Sequence, residues 1–68
     1  MKTSKEIAAE AKELLEKQIN DNDAVCFKKL WIDEDDHGFY VNLKISRDYK
    51  WAIPGVLNKV KICLYRVD

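Results

Sequence analysis

Apolar residues recur at helical spacing near the start of the chain. Ile7, Ala8, Ala11, Leu14, Leu15 and Ile19 fall on one stripe, with Glu10, Lys12, Glu13, Glu16 and Lys17 mainly opposite. Thr3-Ser4-Lys5-Glu6 fits a capping box, in which Thr3 caps the first turn and Glu6 reaches back to its amide. The pattern predicts a helix from about residue 4 to 20, stopped by Asn20-Asp21-Asn22-Asp23.

The period then changes. Residues 24–32 are β-branched and aromatic and read as a strand, followed by a polar turn over 33–38. Residues 39–46 alternate strictly, with Phe39, Val41, Leu43 and Ile45 on one face and Tyr40, Asn42, Lys44 and Ser46 on the other. Ile53-Pro54-Gly55-Val56 reads as a turn, and a third strand runs from about Lys59 to Val67. The short links favour an antiparallel meander. The expected fold is therefore α+β: one compact domain over residues 1–68, with an N-terminal amphipathic helix packed on one face of a three-stranded antiparallel β-meander.

One helix covers one face of a sheet, yet the first strand is apolar on both sides. If Ile32 faces Phe39 across the turn, Trp31 lies opposite Tyr40 on the outer face. That face then holds Val25, Phe27, Trp31, Tyr40, Cys63, Tyr65 and Val67, interleaved with Lys29, Lys44, Lys59 and Lys61; in the other register it exposes Leu30 and Ile32 instead. Apolar patches of this kind mark interaction sites, and a strand apolar on both faces normally has both covered. The candidate interaction residues are Phe27, Lys29, Trp31, Tyr40, Lys44, Lys59, Lys61 and Tyr65. The expected partner is another protein chain, foremost a second copy in a homodimer, since isologous dimers are the commonest assembly and a chain this short needs help with its core. Alternatively, residues 47–58 fold back over the face with Tyr49, Trp51, Ile53 and Val56.

Composition narrows the function classes. The chain has 68 residues and zero formal net charge, which argues against a general nucleic-acid coating protein. Charge is nonetheless segregated: residues 21–38 carry net −4 and residues 39–68 net +4. Two cysteines are too few for a disulfide scaffold and fit a reduced, cytoplasmic chain. The lysines at the start have no apolar core behind them, so no secretory signal is expected, and no apolar run is long enough for a membrane span.

Candidate chemistry is sparse. His37, the one histidine, lies among acids in a turn, and the chain has no Gly-rich phosphate loop. No enzymatic activity and no cofactor are expected. Asp33-x-Asp35-x-His37-Gly38 resembles the opening of a calcium loop, but position twelve is Lys44 rather than a bidentate Glu. Cys26, Cys63 and His37 lack zinc-ligand spacing, so no metal site is expected. The rival reading is a single-stranded nucleic-acid binder, with bases stacked on Trp31, Tyr40 and Tyr65 among the lysines. The helix-strand-strand-strand order resembles the first part of a double-stranded RNA-binding domain, without that fold's second helix or its basic motif. A small stand-alone chain without catalytic groups suits an accessory or inhibitory protein, of the kind phages and mobile elements encode.

Overall fold

The structure, a computed structural model, describes residues 1–67. The chain runs α1 (Ser4–Asp23), a 3-10 turn (Ala24–Cys26), β1 (Phe27–Asp35), β2 (Gly38–Ser46), β3 (Val56–Leu57) and β4 (Val60–Val67). It is α+β, with the helix packed on one face of the sheet. The sheet has four strands in the order β1-β2-β4-β3.

Thr3 caps α1 as the sequence implies, accepting from the Glu6 amide at 3.1 Å. The reciprocal half differs, because the Glu6 carboxylate accepts from the Thr3 hydroxyl rather than from its amide. Ala8, Ala11, Leu15 and Ile19 are fully buried, whereas Leu14, at the border of the stripe, is exposed. The helix continues through the expected stop to Asp23. One long-range and one local contact hold this extra turn: Asn22 Nδ2 donates to the Tyr49 hydroxyl at 3.0 Å, and the Cys26 thiol donates to Asp23 Oδ2 at 3.3 Å. Polar residues that favour a turn locally are thereby kept helical.

β1 and β2 form an antiparallel hairpin whose strands extend into the acidic run, leaving only Asp36 and His37 in the loop. Asp35 Oδ1 accepts from the His37 amide at 2.8 Å, and Gly38 takes φ 119°, a conformation open essentially to glycine. The pairing is shifted by two residues from expectation: Trp31 faces Asn42, Ile32 faces Val41 and Asp33 faces Tyr40. A shift of two preserves sidedness, so Trp31 keeps its outer position.

The expected three-stranded meander is corrected. β4 runs parallel to β2, and β3 is an additional short strand antiparallel to β4. A parallel pair needs a crossover of about a dozen residues or more, and residues 47–59 supply it. Ser46 starts it by accepting the Asp48 amide on its hydroxyl at 3.2 Å. Asn58 and Lys59, at φ 53° and 65°, then turn the chain from β3 into β4, the two positive φ values of a tight hairpin.

The crossover lies on the helix side. Tyr49 is 3% exposed and belongs to the same core as Ala11, Leu15, Leu43 and Ile45, and Ile53 and Leu57 pack against that core. Arg66 Nη1 donates to the Tyr49 carbonyl at 3.3 Å, tying the crossover to β4. Helix and crossover thus share one side of the sheet, and residues 47–58 do not cover the other.

Candidate interaction surface

The outer side follows from the inner one. Val41, Leu43 and Ile45 are fully buried beneath the helix. Their alternating neighbours Tyr40, Asn42 and Lys44 therefore face outward. Register extends this across three strands as Lys29-Lys44-Tyr65, Trp31-Asn42-Cys63 and Asp33-Tyr40. Alternation along β4 places Lys61 on the same side as Cys63 and Tyr65. Six of the candidate residues, Lys29, Trp31, Tyr40, Lys44, Lys61 and Tyr65, thus share one surface.

The other two do not. Phe27 lies opposite Ile45 and packs against the core on the helix side. The cause is an irregularity in the pairing between Phe27 and Lys29. One inserted residue, Lys28, reverses the sidedness of everything before it. Val25 leaves the face for the same stretch of chain, being exposed in the 3-10 turn. Lys59 sits in the turn before β4 rather than on the strand, and lines a shallow recess with His37, Tyr40 and Lys61.

The aromatic groups lie down on the sheet. Trp31 and Tyr65 stack with centroids 6.4 Å apart and planes 12° apart. Their strands flank β2, so their backbones are about 9–10 Å apart, and the rings must lean toward each other over it. Asn42 lies beneath and is only 3% exposed, although the alternation alone marks it as a solvated polar position. Lys29 Nζ sits 4.9 Å from the Trp31 ring centroid, and Lys61 Nζ 5.9 Å from that of Tyr40. Each lysine charge thus meets a ring face. Burial raises the Tyr40 phenol above its ordinary value, and the Asp33 carboxylate adds to the rise; a hydrogen bond from Asn42 acts in the opposite sense.

Charge on this side is polarised along β1. Lys29 lies beside Lys44 at one end, and Asp33 and Asp35 lie at the other. Asp33 is absent from the sequence-derived site, and so is Asn42. A short polar side chain between large cross-strand neighbours is the signal for Asn42, but it becomes visible only once the register is known.

The other reactive groups are dispersed. His37 is exposed in the hairpin loop, Cys63 is half-buried on the outer side, and Cys26 is buried between α1 and β1. Both cysteines are free. Burial pushes the Cys26 thiol up, and its hydrogen bond to the Asp23 carboxylate pushes further in the same direction. Among the described residues no helix is long and apolar enough to cross a membrane. No protein-family model matches this chain, and neither the curated proteins nor the solved structures yield a match.

Proposed function

We propose that this chain is a small non-enzymatic protein-interaction module that binds a second copy of itself, through the outer side of the sheet or through a sheet edge. One observation carries the reading: helix and crossover occupy the same side of the sheet, leaving the side with Trp31, Tyr40 and Tyr65 without a covering layer. The separation of His37 in the hairpin loop, Cys63 on the outer side and Cys26 between α1 and β1 supports a role without catalysis, because acid-base and nucleophilic mechanisms need such groups within hydrogen-bond reach of one another. Two free cysteines suit a reducing, cytoplasmic setting. A self-associating chain of this size fits an accessory or inhibitory protein.

The test is solution mass against concentration, by light scattering behind a sizing column. A mass that rises from one copy to two with concentration supports the reading. A single copy at millimolar concentration refutes it.

The rival reading, a single-stranded nucleic-acid binder, draws on Lys29 and Lys44 lying side by side next to the Trp31–Tyr65 stack. Against it, Lys29 already occupies a face of Trp31 and Lys61 a face of Tyr40, and Asp33 lies on the same surface. Such binding would weaken steeply with salt, with a slope of about −0.7 per phosphate contacted. Lys44→Glu would abolish it.

A further inference from the structure

β1 is an edge strand, with β2 on one side and no strand on the other among the described residues. Edge strands are templates for pairing, and natural sequences usually blunt them with charge or bulges. β1 carries both devices, yet its charges are ordered. Read outward from Trp31, the residues before it are Leu30, Lys29 and Lys28, and those after it are Ile32, Asp33 and Glu34. The sequence is antisymmetric in charge and symmetric in hydropathy about the tryptophan. The pairing irregularity lies before Lys29, so the stretch 29–33 is regular.

Resting on the self-association reading, we propose that two copies join by antiparallel pairing of β1 with β1, on a two-fold axis at Trp31, to make one continuous eight-stranded sheet. Lys29 then faces the partner's Asp33, twice by symmetry, and Lys28, at the bulge, falls outside the regular pairing. Leu30 meets the partner's Ile32 on the helix side. Both are only half-buried in the single chain, and the pairing extends the apolar layer across the junction. Trp31 meets its own copy on the outer side.

Two further facts favour this edge. Within the chain Lys29 faces Lys44, a like-charge pair that is unfavourable across strands. Neither Lys29 nor Asp33 has an ion-pair partner among the described residues. A second copy supplies each with an opposite charge. By contrast, the free stretch of the opposite edge, residues 62–67 of β4 beyond β3, carries Arg66 and no carboxylate, so it does not complement itself.

Charge reversal tests the register. Lys29→Glu relieves the Lys29–Lys44 clash but gives up the Lys29 contact with the Trp31 ring, so its urea midpoint is matched to the parent's before dimerisation is compared. In a β1–β1 dimer it places a glutamate against Asp33 at two symmetric positions. Asp33→Lys places a second lysine against Lys29 in the same way. Each symmetric dimer contains two such reversed pairs, so each variant should dimerise several-fold more weakly than the parent. An equimolar mixture of the two variants restores complementarity. In the mixed dimer the glutamate introduced in one copy faces the lysine introduced in the other, and the unchanged Asp33 faces the unchanged Lys29. That dimer should form at the parental concentration, read by native mass spectrometry.

If the parent dimerises but the single variants dimerise equally well, or the mixture fails to recover, the edge pairing is wrong while self-association stands. Copies would then meet through the outer side. If the parent is a single copy throughout, both readings fall.

Discussion

Tyr49→Ala should be the most damaging single substitution in the crossover. Tyr49 is 3% exposed, packed in one core with Leu15 and Ile45, and its hydroxyl accepts from Asn22 Nδ2. Truncating a buried aromatic to alanine costs roughly 3–5 kcal/mol. A domain of 68 residues has roughly 3–10 kcal/mol of total stability, at about 0.05–0.15 kcal/mol per residue. The variant should therefore be marginal or unfolded. Tyr49→Phe isolates the hydroxyl. Asn22 is half-buried, so water can reach its amide, and the cost should be only about 0.5–1.5 kcal/mol. Trp51→Ala is the control, since Trp51 touches Tyr49 with ring centroids 5.3 Å apart but remains 44% exposed. Its loss should be about 0.5–1.5 kcal/mol. The assay is urea unfolding, read as a shift in midpoint at constant slope. If Tyr49→Ala costs no more than Trp51→Ala, the crossover does not pack under the helix, and nothing then keeps it from covering the outer side.

Three other outcomes follow from the geometry. Gly38→Ala forces a side chain into φ 119° where space is not the constraint, and thermal unfolding should show a loss of about 1–3 kcal/mol. Deleting Lys28 removes the inserted residue and turns Phe27 away from the core, with an expected loss of ~1–3 kcal/mol in the same urea assay; an unchanged midpoint would contradict the bulge. Cys26 is an acid whose folded pKa is raised above the ordinary thiol value of 9.0. Its contribution is thus fully present below pH 9 and is lost as pH rises through the folded value. The urea midpoint should fall between pH 8 and pH 10, and fall less in Cys26→Ala.

Much of this is legible in the sequence because it depends on periodicity. The stripe of α1 and the strict alternation from Phe39 to Ile45 predict most of the buried side chains, with Leu14 and Asn42 as exceptions, and six of the eight candidate surface residues follow from parity alone. The failures have separate causes. Phe27 is assigned to the wrong side because alternation counts residues, and a bulge adds one without a clear local signal. The direction of β4 escapes because a link of this length is compatible with either a loose return or a crossover, and burial of Tyr49 decides between them. The turn at Asn58-Lys59 escapes because a lysine stands where such a hairpin usually has glycine, so only Asn58 hints at it. Trp31 keeps its side despite a two-residue error in register, because side depends on parity and not on position.

The strand that enters the middle of the sheet is the last to appear along the chain. Helix α1 and the β1–β2 hairpin are local, and a hairpin closes in about 1–10 μs. β4 joins β2 only after the crossover has folded back, and non-local parallel pairing of this kind is slow. Refolding should therefore pass through a helix–hairpin stage in which β2 has one edge unpaired and the sheet side of Val41, Leu43 and Ile45 is only partly roofed. At that stage the chain is open to pairing with other chains. Refolding yield should fall as protein concentration rises, even under conditions in which the finished fold remains soluble.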